Sequence, residues 1–227
     1  MKILFIGNSH TFMNDMPQLV KEMIISATGE ECEVFMLAYG GRSLKWHMDE
    51  EYFAVRFNLL HGEYDYCVIQ EAAHPMVDEE DTYTNTRRIV DLCRSSETVP
   101  VIFETWAEKA MPYHQEEMNR RYTKIAGETG AKLAEIGKFW SLAGKENPDI
   151  ELYWKDGEHA SAAGDYLTAL VITKTVAGVL PDRSFVRAYD FTDPQMWRRV
   201  KENIQEESFD LPAETVDLFH SLLENDQ

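Results

Sequence analysis

KILFIGNSHT, residues 2–11, joins a strand-forming run to a glycine, an asparagine, a serine and a histidine without any spacer. A short unbroken run of Ile, Leu and Phe reads as a strand buried on both faces. Similar runs follow: EVFML at 33–37, YCVIQ at 66–70, VPVIFET at 99–105 and KLAEI at 132–136. The stretches between them carry helical spacing. Met16, Leu19, Val20 and Met23 form one apolar stripe, closed by Gly29; Tyr83, Thr86, Ile89, Val90 and Cys93 form a second; Met118, Tyr122, Ile125 and Ala126 form a third. Strands joined by helical crossovers run parallel, and strands buried on both faces need helices above and below them. The expected fold is α/β, a three-layer α/β/α domain around a five-stranded parallel sheet.

A further helical stretch from Ser161 to about Leu180, with Ala163, Leu167, Leu170 and Val171 on one face, packs back on the sheet and closes a domain over 1–181. Beyond Pro181 the pattern changes to two expected helices, roughly 194–206 and 212–224, with no strand partner. Residues 182–227 thus read as an acidic helical extension packed on the same domain; positions 201–227 alone hold eight acidic side chains and one lysine.

Forty acidic against 22 basic residues give a formal charge of −18. Such a charge repels phosphate backbones and anionic lipid, which argues against nucleic-acid and membrane-surface partners. The acidic run DEED at 78–81 reads as a solvated face. Cys32, Cys67 and Cys93 are odd in number, lack C-x-x-C spacing and lie in apolar segments. Free thiols are expected, and a reducing cytoplasm is the simplest location. No run approaches the length of a membrane span.

In open α/β sheets ligands bind beyond the carboxyl ends of the strands. Ser9 stands at that place, ahead of a helix start marked by Asp15 and Pro17, whose dipole favours negative charge. Taken alone, such a serine is a turn or a cap. DGEHAS at 156–161 adds what a nucleophile needs, because a hydroxyl attacks only when a base takes its proton and a carboxylate orients that base. Asp156 and His159, three residues apart in one loop, suit these parts. A flavodoxin-like binding module, in which GNSHT and the helix after it hold a phosphate, uses the same sheet but leaves Asp156 and His159 without a purpose. The other histidines, His10, His47, His61, His114 and His220, show no zinc-binding spacing, and no phosphate-cradling glycine motif occurs, so neither metal nor cofactor is expected.

Together, GNSHT and DGEHASAAGDYLTAL resemble the first and fifth blocks of the SGNH (GDSL-type) hydrolase family, with His10 in place of its leucine. The resemblance spans about 2–175. It implies a flavodoxin-like SGNH hydrolase fold and a serine esterase acting on small carboxylic esters, among them O-acetyl groups on carbohydrate. Ser9 is then the nucleophile, His159 the base and Asp156 its orienting carboxylate. The oxyanion hole would draw on the Ser9 N–H and on Gly40 or Gly41 within AYGGRS at 38–43. The third family block, G-x-N-D, is replaced by VIQEAAHP, which offers Gln70 as the remaining donor and His74 as the second choice. Tyr39, Trp106 and Trp154 are candidates to line the substrate crevice, along with Trp46, while Glu104 and Glu108 face either a sugar or solvent. An inactive SGNH-like relative serving as a carbohydrate- or partner-binding protein is the alternative, and oligomeric state stays open.

Overall fold

The computed structural model describes residues 1–74, 77–190 and 208–226. Five parallel strands, β1 (Lys2–Gly7), β2 (Glu33–Ala38), β3 (Tyr66–Gln70), β4 (Val99–Phe103) and β5 (Lys132–Ala134), form one sheet in the order β2-β1-β3-β4-β5. The register sets Leu4 beside Phe35 on one side and Cys67 on the other. Because β1 has β2 on one flank and β3 on the other, the chain winds away from it in opposite directions. That reversal opens a crevice beyond Gly7, where GNSHT begins.

Side chains alternate across the sheet with the two-residue strand period. Ile3, Phe5, Val68, Val101 and Phe103 point to the layer holding α2 (Met16–Thr28), α7 (Ile136–Glu146) and α8 (Ala162–Ala177). Leu4, Ile6, Cys67 and Ile69 point to the opposite layer, built from α3 (Leu44–Asp49), α4 (Tyr52–His61) and α5 (Glu79–Ser95). Ile102 meets α6 (His114–Thr129) on that same side. Burying a side chain of this kind contributes about 1.5–3 kcal/mol, so the central strands anchor the domain. All three cysteines are free and buried. α8 sits close against its neighbours because of Gly164: a Cβ there would lie 2.2 Å from the Leu152 carbonyl oxygen and 2.5 Å from the Trp140 ring.

Two parts of this arrangement were not expected from the sequence. Residues 44–61 form α3 and α4, an element pair obscured by Phe53 and Phe57, which are 82% and 64% exposed on what should be a polar face. KLAEI is strand only as far as Ala134, and Ile136 already opens α7. No glycine or proline separates strand from helix there.

Past Pro181 the chain does form strand. β6 (Arg187–Tyr189) pairs antiparallel with β7 (Ser208–Asp210), correcting the expectation of helices alone. The helix expected at 194–206 lies outside the described residues. The one expected at 212–224 is present as α9 (Ala213–Glu224), whose Val216, Phe219 and Leu223 join the core cluster under α7 and α8. Among the described residues no helix is long and apolar enough to cross a membrane.

Candidate active site

Ser9 is the first residue of α1 (Ser9–Phe12), a single turn that follows β1 directly. At that position the backbone N–H has no acceptor within its own helix. Asn8 caps the turn, its Oδ1 accepting from His10 N–H at 3.1 Å and its Nδ2 donating to the Arg42 carbonyl at 3.0 Å. α1 breaks into a 3-10 turn over Met13–Asp15, with Asn14 and Asp15 both at a φ of +50°, before α2 begins at Met16.

The DGEH turn reaches Ser9 from the far end of the chain. His159 Nε2 lies 2.8 Å from Ser9 Oγ, and His159 Nδ1 lies 2.7 Å from Asp156 Oδ2. The other Asp156 oxygen, Oδ1, accepts the N–H groups of Glu158 and His159 at 2.9 and 3.0 Å. Burial works to raise the Asp156 pKa, but those two N–H groups and the His159 ring outweigh it and hold the carboxyl below its ordinary value. Asp156 therefore stays ionised at neutral pH and favours the tautomer with its proton on Nδ1. Nε2 is then free to accept from the serine.

Several bonds hold this turn to the loop after β4. Trp106 Nε1 donates to the Glu158 carbonyl at 2.8 Å, Lys109 N–H to the Gly157 carbonyl at 2.9 Å, and Tyr153 Oη to the Ala107 carbonyl at 2.9 Å. Asn14 supplies a link from the Ser9 side, its Nδ2 donating to the Ala160 carbonyl at 3.2 Å and to Asp165 Oδ2 at 2.7 Å.

The glycine pair forms a turn in which Arg42 N–H donates to the Tyr39 carbonyl at 3.1 Å, and Gly41 takes a φ of +68° that suits glycine. Asn8 docks this turn against the serine loop. Among the described residues neither Gly40 nor Gly41 has a protein acceptor for its N–H.

Gln70 is placed otherwise than expected. It is 1% exposed, and its Oε1 accepts from Asn8 N–H at 2.8 Å and from Thr11 Oγ1 at 3.0 Å, while Nε2 donates to the Glu71 carbonyl. The amide braces the serine loop from beneath. Gly7 permits this contact, since a Cβ there would lie 2.5 Å from Gln70 Oε1 and 2.3 Å from Thr11 Oγ1. The His74 ring meets His10, with centroids 5.0 Å apart, and its Nδ1 is 3.7 Å from Glu108 Oε1.

Trp106, read as a crevice residue, is 0% exposed and stacks on Trp140 at 4.0 Å, so it holds the DGEH turn instead of lining a surface. Glu104 is likewise buried, and burial pushes its pKa up to about 7. Tyr39 is 38% exposed beside Trp46, over which the Arg42 guanidinium sits at 5.0 Å. Trp154 stands edge-on to His159 at 6.5 Å and lines, with Glu108, Lys109, Tyr153 and Gly157, a cleft of about 640 Å³. Among the described residues no group of three or more His, Cys, Asp or Glu side chains is placed to hold a metal ion.

Glu71 was not singled out by the sequence. It is buried, with Oε1 accepting from Leu44 N–H at 2.9 Å and from Ala72 N–H at 2.7 Å, and so ties the end of β3 to the start of α3. Burial pushes its pKa up to about 7 against the opposing pull of those two N–H groups. An unfolded glutamate ionises near ~4.3, so between there and about 7 the native chain binds the extra proton. The stability that Glu71 contributes is therefore greatest below the unfolded value and declines as the pH rises to about 7. Glu71→Gln keeps an acceptor for both N–H groups and cannot ionise. It is expected to raise the melting temperature at about pH 8 and leave it unchanged near pH 4.5; equal gains at both would remove ionisation as the cause.

No family model matches the sequence, and no curated protein matches it. Solved structures do. The chain is similar to a candidate SGNH hydrolase from Slackia heliotrinireducens, with a TM-score of 0.67 and 26% identity over 77% of this chain and 98% of that one. It is also similar in fold to a lipase/acylhydrolase from Enterococcus faecalis, with a TM-score of 0.62 and 16% identity over 80% and 98% of the two chains. A catalytic mutant of an acetylxylan esterase from Geobacillus stearothermophilus likewise gives a TM-score of 0.62 and 16% identity, over 77% and 93%. The chain thus has the fold of the SGNH hydrolases, the family that GNSHT and DGEHAS resemble, with VIQEAAHP standing where its G-x-N-D block would be.

Proposed function

We propose that this chain is a serine esterase that hydrolyses small carboxylic esters through an acyl-enzyme on Ser9. The observation that carries the reading is the continuous line of bonds from Asp156 Oδ2 through His159 to Ser9 Oγ, at 2.7 and 2.8 Å. The hydrolase fold of the neighbours supports it.

As Ser9 Oγ attacks the ester carbonyl, its proton passes to His159 Nε2, and Asp156 stabilises the imidazolium. The oxyanion is met by N–H groups without a partner among the described residues: that of Ser9 at the head of α1 and that of Gly40 or Gly41 in the docked turn. His159 then gives its proton to the departing alkoxide. A water, deprotonated by the same imidazole, cleaves the acyl-enzyme and releases the carboxylic acid.

A short acyl group is proposed from the likeness in fold to an acetylxylan esterase. The exposed ring of Tyr39 with Trp46, and the half-buried ring of Trp154, suit a carbohydrate alcohol carrying an O-acetyl group. The purified protein is expected to release p-nitrophenol from the acetate ester faster than from longer-chain esters, and a fluorophosphonate is expected to label Ser9. Absence of labelling together with absence of ester turnover would remove the esterase reading. Copurification of a bound nucleotide or flavin would favour a binding module instead.

A further inference from the structure

We infer that His10, which stands where the resembled family carries leucine, is a positioning residue for His159, presenting a neutral aromatic face to the imidazole. The inference rests on the esterase reading of Ser9 and His159. The His10 and His159 rings are stacked, with centroids 4.8 Å apart and planes 28° from parallel. On its other sides His10 meets Trp106 at 5.2 Å and His74 at 5.0 Å, so its ring is wedged and cannot turn away. It also lies beside the Glu158 carbonyl, the group that accepts from Trp106 Nε1.

A second imidazole beside a base helps only if it stays uncharged. Burial, then the neighbouring His159, then His74, hold His10 well below the ordinary histidine pKa, outweighing the Glu158 carbonyl and Asp156. During acylation His159 becomes a cation against that face, and a cation on an aromatic face is attracted to it. The charged and titratable groups around His159 are Asp156 on its own turn, Ser9 and His10 from α1, and His74 with its partner Glu108 from the loops after β3 and β4. Lys155 lies over the far ring, Trp154, at 4.6 Å. A leucine at position 10 fills the space and offers no such face.

The test compares His10→Leu, His10→Phe and His10→Gln, following the pH dependence of Ser9 labelling by a fluorophosphonate and of kcat/KM for p-nitrophenyl acetate. His10→Leu is expected to lower the plateau kcat about tenfold with KM unchanged, and to move the acid limb of both profiles to lower pH, because the imidazolium has lost a stabilising surface. His10→Phe, which restores an aromatic face, is expected to return rate and acid limb towards those of the parent. An acid limb that stays put or moves to higher pH in His10→Leu overturns the inference. So does recovery in His10→Gln but not in His10→Phe, which would assign the effect to a polar group at that position. If His10→Leu does not fold, the Phe and Gln pair still decides between an aromatic face and a polar group. A parent protein that is neither labelled nor active removes the esterase reading itself. A labelled parent matched by all three variants removes only the role of His10.

Discussion

Ser9→Ala is expected to reduce kcat for p-nitrophenyl acetate by about 10⁴- to 10⁶-fold, and His159→Ala by a similar factor. The two act as one unit, so the double variant should be no slower than either alone. Losses that multiply would mean that Ser9 and His159 work independently. Asp156→Asn tests the third position more selectively. The asparagine oxygen can keep the N–H groups of Glu158 and His159 that Asp156 Oδ1 now accepts. Its NH₂ then faces His159 Nδ1 and forces the ring proton onto Nε2, where it blocks transfer from the serine. A loss of about 10³- to 10⁴-fold with little change in melting temperature is the expected result. Unchanged rates across Ser9→Ala, His159→Ala and Asp156→Asn would leave the DGEH turn with a structural role only.

Gln70→Leu is expected to damage stability and rate together. The substitution strands two buried donors, Asn8 N–H and Thr11 Oγ1, each of which now bonds Gln70 Oε1. An unsatisfied buried donor costs about 1–3 kcal/mol, so a loss of roughly 2–6 kcal/mol and a fall of about 4–24 °C in melting temperature follow. Because Asn8 and Thr11 flank Ser9, kcat should drop as well, by about 10- to 100-fold for a nucleophile displaced by a fraction of an ångström. Thermal denaturation separates the brace from the role that the sequence suggested. A collapse in kcat with an unaltered melting temperature would return Gln70 to the oxyanion hole.

The difference between those two roles shows which features a sequence carries openly. Strands such as KILFI and YCVIQ are legible because period and residue type are local properties, and DGEH is legible because its whole hydrogen-bond pattern lies within one turn. Gln70 acts on Asn8 and Thr11, which are 62 and 59 residues away, and nothing near it in the chain announces them. Trp106 looked like crevice lining since it follows a strand; only the fold reveals Trp140 stacked flat against it. His10 and His74 become neighbours because β1 and β3 are adjacent and parallel, which brings the loops at their carboxyl ends together. Glu71 carried no local signal, because a glutamate after a strand is ordinarily exposed and its acceptor role depends on Leu44, 27 residues away.

The sheet is complete at Ala134, yet the imidazole that bonds Ser9 Oγ lies 150 positions after that serine, in the turn that leads into α8. On the ribosome, then, the hydroxyl emerges 150 residues ahead of the imidazole it bonds. A nascent chain would carry the alcohol as inert cargo, and reactivity would switch on in one late step of maturation.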